Sequence, residues 1–156
     1  MDAKSTASAG KDIARLVQEA TSSLKSDIKG AVVKLESAYA LARGASDAIG
    51  TALVAEELAR AWARRKAPAR ALYYARKSPS LAPERKEAWT TLAKTSELIA
   101  LRSSGPTKQH RARALYQTAA MAFERAAKLT KDPEDRRWLM ELSGDAKRQA
   151  NPKKPG

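Results

Sequence analysis

Apolar residues recur every three to four positions in seven successive stretches of this chain, each bounded by Gly, Pro, Ser or Asp. That period is the signature of amphipathic helices. In the first stretch Ile13, Leu16, Val17, Ala20 and Leu24 share one face. Asp27 is placed to cap a second helix, with Ile28, Val32, Leu35, Tyr39 and Ala42 turned inward and Gly44 at its end. Ser46 or Asp47 caps a third, running through Ile49, Leu53, Val54, Leu58 and Trp62 to about Lys66. Pro68 opens a short fourth helix with Ala71, Leu72 and Ala75, expected to stop by Pro79. Pro83 is expected to start the fifth, whose inner face is Trp89, Leu92, Ala93, Ser96 and Ile99 or Ala100.

Ser103-Ser104-Gly105-Pro106 is the clearest break. A sixth helix follows with Leu115, Ala119, Ala122, Ala126 and Leu129 in one stripe and Phe123 beside it. Asp132-Pro133-Glu134-Asp135 combines a cap, a Pro and two acids, a strong start for a seventh helix carrying Trp138, Leu139 and Leu142 to about Ala150. Trp62, Trp89 and Trp138 all read as core. No run of alternating β-branched residues supports a strand, so the expected class is all-α, with three hairpins and a terminal helix. Residues 1–10 and 151–156 lack an apolar period and read as disordered ends of one helical domain, 11–150.

Leu58-Ala59 and Leu92-Ala93 stand 34 residues apart, as do Ala55 and Trp89. Around them lie Trp62, Ala71, Ala75 and Pro83 in order. This period, with its sequence of large, small and Pro positions, resembles the tetratricopeptide repeat. One complete unit spans 52–85, and a second opens in phase at Lys86. The second helix of that next unit carries Ala119, Phe123 and Ala126, 14 residues later than the family norm, so the third hairpin is elongated. The N-terminal pair matches loosely, through Ala31, Leu35 and Ala38. The resemblance implies a short α-solenoid of stacked hairpins whose first helices line a partner-binding groove. Carried over by position, that groove would present Glu56, Arg60 and Arg64 from one unit, and Thr90, Thr91, Lys94 and Glu97 from the next.

Charge adds a direction. The net charge is +13, with 7 Lys+Arg against 6 Asp+Glu in residues 1–50, 11 against 5 in 51–105, and 12 against 6 in 106–156. The basic field therefore belongs to the last two thirds, and it favours an anionic partner. Arg60, Arg64, Arg65, Lys66 and Arg70 form the densest group, although cations at a helix C-terminus also complement its dipole. A second run, Lys108-Gln109-His110-Arg111-Ala112-Arg113, opens the sixth helix, where the dipole disfavours cations; Lys108, Arg111 and Arg113 are candidates for contact on that ground. Tyr73 and Tyr74 lie between Arg70 and Arg76-Lys77, an interleaving that can stack bases and neutralise phosphate.

Catalytic chemistry finds little support. The glycines are isolated, so no phosphate-cradling loop exists. With no Cys and only His110, a structural zinc site lacks ligands, and His110 has no adjacent acid to orient it. No cofactor or metal is expected. No stretch is long enough to span a membrane, and the N-terminus lacks the apolar core of a signal peptide. The expectation is a non-enzymatic, cytoplasmic adaptor that binds an acidic protein segment through Arg60, Arg64, Lys94, Lys108, Arg111 and Arg113. Alternatives are nucleic-acid binding through 60–77 and 108–113, or a self-assembling structural subunit.

Overall fold

A computed structural model describes residues 3–103 and 105–152. Among these, seven helices and no strand occur: α1 (Ala3–Ser23), α2 (Ile28–Gly44), α3 (Ala48–Arg64), α4 (Pro68–Leu81), α5 (Lys86–Arg102), α6 (Pro106–Leu129) and α7 (Pro133–Ala150). The chain is all-α, as its periodicity implied. It divides into two compact units, 1–82 and 83–156. No helix among the described residues is long and apolar enough to cross a membrane. The suggested disorder of 1–2 and 153–156, and Ser104 within the Ser-Gly-Pro break, lie outside the described residues. From Ala3 onward the N-terminal stretch is helical, where the absence of an apolar period had suggested disorder. Ala, the best helix former, favours that backbone.

In the first unit α1 packs on α2, α2 on α3, and α3 on α4. Each corner is short, so consecutive helices run antiparallel. Asp27 and Asp47 cap α2 and α3 by accepting from the backbone N–H of Gly30 and Gly50, at 2.9 and 2.8 Å. A Cβ at either glycine would press on the capping carboxylate, whose side chain would have to shift to make room. The left-handed residues that end α2 and α3 are Ser46 (φ 54°) and Lys66 (φ 56°), not Gly44 as its position suggested. The next N–H in each corner, Asp47 and Ala67, returns to Ala42 and Trp62 carbonyls at 3.0 Å. These paired bonds close both helix ends in the Schellman manner.

Two boundaries differ from expectation. α4 runs through Pro79 to Leu81, because in the last turn Pro79 forfeits only one N–H and its ring is buried. α5 begins at Lys86, three residues after Pro83. The Pro83 carbonyl is instead the acceptor for the Trp89 indole N–H, at 2.8 Å, which ties the loop to the first turn of α5.

In the second unit α6 packs against both α5 and α7. Its buried residues are mostly small, Ala119, Ala120, Ala122, Ala126 and Ala127, with Phe123 as the one large side chain fully enclosed. This close approach lets Ser143 of α7 donate its hydroxyl to the Ala120 carbonyl at 2.9 Å. Lys86 and Asp135 pair between α5 and α7 at 4.0 Å.

Candidate functional site

On α3 the exposed face is a single stripe. Ile49, Leu53, Arg60 and Arg64 are open to solvent, with Glu57 half-buried at its margin. At 3.6 residues per turn these five fall within about 80° of arc. Ile49 and Leu53 were expected in the core; they are 53% and 45% exposed. The core side of α3 is built largely from Ala52, Ala55, Leu58, Ala59, Ala61, Trp62 and Ala63. Small residues let α2 and α4 approach closely, which leaves the larger Ile49 and Leu53 outside.

Glu56, carried into the groove by the repeat pattern, is buried instead. Its carboxylate accepts from the Ser78 hydroxyl of α4 at 2.8 Å. Its neighbour Glu57, half-buried, pairs with Arg60 at 2.6 Å.

The α3–α4 corner carries the strongest charge. Between Glu57 and Glu84 the sequence has no acid and seven cations. Arg65 and Arg70 place their guanidinium carbons 4.9 and 4.4 Å from the Trp62 ring centroid. Arg64, Arg65, Lys66 and Arg70 are all exposed, while Trp62 is buried as expected. Ala67, at the N-cap of α4, offers no side-chain acceptor to the free N–H groups of that helix.

Beyond the corner, α4 presents Tyr73, which is 50% exposed. Its ring meets Tyr74 edge-on at 5.1 Å, and Lys77 lies over it at 5.3 Å. Tyr74 is held from α2: both Glu36 carboxylate oxygens accept from its hydroxyl, at 2.9 and 2.8 Å, and Tyr39 packs edge-on at 5.3 Å. Burial pushes the Tyr74 phenol far above its ordinary pKa, and the hydrogen bond to Glu36 and that carboxylate's charge add to the shift. Arg43 lies over Tyr39 at 5.9 Å.

The remaining candidates belong to the second unit. Lys94 is exposed on α5, but of its proposed groove neighbours Thr91 is buried and Thr90 spends its hydroxyl on the Lys86 carbonyl at 2.9 Å. Glu97 is half-buried, and its carboxyl is raised above the usual range by burial and by Asp145, against the opposing pull of Lys94. Lys108, Arg111 and Arg113 are exposed in the first turns of α6, which have no acid and no side-chain cap. Gly105, at φ 97° and ψ 161°, takes the backbone shape that only glycine adopts readily and starts that helix.

Trp138 departs from its core assignment, being 60% exposed on α7. The residue that packs there is Leu139, one position on. Trp89 is half-buried, with Arg125 of α6 over its ring at 5.6 Å. Among the described residues no cluster of His, Cys, Asp or Glu is arranged to hold a metal.

No family model matches the chain, and no curated protein is similar to it at a significant level.

Proposed function

We propose that this chain is a tetratricopeptide-like interaction module, cytoplasmic and without catalytic activity, that holds an acidic protein segment. The observation that carries the reading is the α3 stripe, where exposed Ile49 and Leu53 continue into exposed Arg60 and Arg64. Leaving Leu53 uncovered forgoes part of the roughly 1.5–3 kcal/mol that full burial of a Leu supplies. An acidic amphipathic segment would meet both halves of the stripe, covering the apolar pair and offering carboxylates to the arginines. Arg is the better cation for this, since its planar fork donates two parallel bonds to one carboxylate. α3 is also the first helix of the complete repeat unit, the helix that faces partners in the family it resembles. Lys94, Lys108, Arg111 and Arg113 give the second unit a basic surface suited to the same chemistry.

Fluorescence polarisation with three labelled peptides tests this: an acidic peptide with leucines at helical spacing, an acidic one without them, and a neutral one with them. The first should bind tightest, and Leu53→Glu and Arg64→Glu should each weaken it about tenfold, worth about 1.4 kcal/mol. Equal affinity for all three peptides, or indifference to both substitutions, would remove the basis for the reading.

A further inference from the structure

We propose that the α3–α4 corner and the outer face of α4 bind single-stranded nucleic acid. This site is separate from the α3 stripe and stands on different residues: Arg65, Lys66, Arg70, Tyr73 and Lys77.

Three features converge on it. The first is a local excess of positive charge. Half-buried Glu57 of α3 is paired with Arg60, the next acid in sequence is Glu84, beyond the end of α4, and Glu36 of α2 is engaged by the Tyr74 hydroxyl. Such a field attracts a polyanion. The second is preorganisation. With Arg65 and Arg70 lying over the Trp62 ring, the indole supports their guanidinium groups and leaves their donor edges for phosphate oxygens. Lys66 stands between them in the left-handed conformation, where glycine would be more comfortable, so a cation is kept at a cost in backbone energy. Arg70 also sits in the first turn of α4, at the positive end of a helix dipole, a conflict that a bound phosphate relieves.

The third feature selects nucleic acid over an acidic peptide. Tyr73 is half exposed on the same face of α4 as Arg70 and Lys77, and those two cations are separated by about 10 Å along the helix. Its support is firm, because Tyr74 behind it is fixed by Glu36 and Tyr39 of α2. A half-exposed aromatic ring beside cations, with Lys77 as the side chain that would swing off its face, offers a base something to stack on while its flanking phosphates are neutralised. Carboxylates have no use for that ring. A duplex keeps its bases stacked internally, so the ring favours a single strand.

The test is anisotropy titration of the full chain with labelled 20-nucleotide oligouridylate and oligothymidylate, a duplex of equal length, and polyglutamate. Both single strands should bind more tightly than the duplex at near-physiological salt. Tyr73→Ala should weaken the single strands by about fivefold to a hundredfold, Tyr73→Phe should not, and polyglutamate binding should be indifferent to both. Lys66→Gly, which relaxes the backbone and so preserves the fold, should weaken oligonucleotide binding as well. Circular dichroism verifies that each variant is folded. If Tyr73→Ala unfolds the chain, the Lys66→Gly result decides. Equal binding of duplex and single strand, no loss on either substitution, or binding of polyglutamate alone would overturn the proposal. The last outcome would leave the acidic-segment reading standing, and the α3 substitutions Leu53→Glu and Arg64→Glu should not alter oligonucleotide affinity more than their charge requires.

Discussion

The Ser78 hydroxyl donates to the Glu56 carboxylate at 2.8 Å within the buried interface of α3 and α4. This bond makes a polar residue part of the packing that holds the two helices together. By helical position Glu56 is about 20° from Ile49, so it lies at the margin of the exposed stripe and reaches over to α4.

Ser78→Ala should therefore destabilise the first unit, because the carboxylate loses a donor where water cannot replace it. The cost should be about 1–3 kcal/mol by urea denaturation. An unchanged midpoint would show that the bond contributes nothing to the helix pair.

The three tryptophans should behave differently on truncation. Trp62→Ala should cost roughly 3–5 kcal/mol, since the ring is enclosed in the first unit. Trp138→Ala should stay within about 0.5 kcal/mol, as expected for an exposed side chain. Trp89→Ala should fall between, losing its bond to the Pro83 carbonyl and its contact with Arg125. Thermal melts of the three variants would show the order, and comparable losses at 62 and 138 would contradict the placement of α7.

Those assignments show what was legible in the sequence. Helix number, the caps at Asp27 and Asp132, Asp47 as one of two candidates for the third, and the corner positions near 45, 66, 103 and 131 follow from local chemistry, because a cap or a Pro acts within one turn. Rotation about the helix axis does not. Ile49, Leu53 and Trp138 would each bury more apolar surface than Ala, yet close packing of helices selects Ala for the interface of α3 and leaves Ile49 and Leu53 outside. Glu56 was misplaced for the related reason that its partner, Ser78, is 22 positions away in sequence. Of the basic candidates, Arg60 and Arg64 share one exposed stripe, whereas Lys94, Lys108, Arg111 and Arg113 belong to the other unit. The sequence also concealed the left-handed corners, since neither Ser46 nor Lys66 is glycine.

Lys66→Gly should raise stability. A non-glycine residue in the left-handed region costs about 1–2 kcal/mol, and the greater freedom of glycine in the unfolded chain offsets about 0.5–1 kcal/mol of that. The expected net gain is about 0.5–1 kcal/mol, measurable as a higher denaturation midpoint. Ser46→Gly should act in the same direction, and a loss in both would mean that the corners are not left-handed in solution.

Glu97 gives the fold a specific pH response. Its carboxyl titrates above the usual range in the folded chain, chiefly through burial and then through Asp145, so the folded state holds a proton that the unfolded state releases. Its contribution is therefore greatest at acid pH, below the unfolded pKa, and is lost as pH rises through the folded value. Glu97→Gln should raise the melting temperature at neutral pH, and the gain should vanish as pH falls to the unperturbed Glu value of about 4.3. A gain independent of pH would assign the effect to something other than titration.

The most direct measurement is backbone amide NMR of the full chain titrated with the leucine-bearing acidic peptide. The expected result is a contiguous set of shift changes on α3 around Ile49, Leu53, Arg60 and Arg64, saturating together and reduced by Leu53→Glu. Changes confined to other helices, or none at concentrations where the peptide is in large excess, would contradict the assignment of α3 as the partner-binding face.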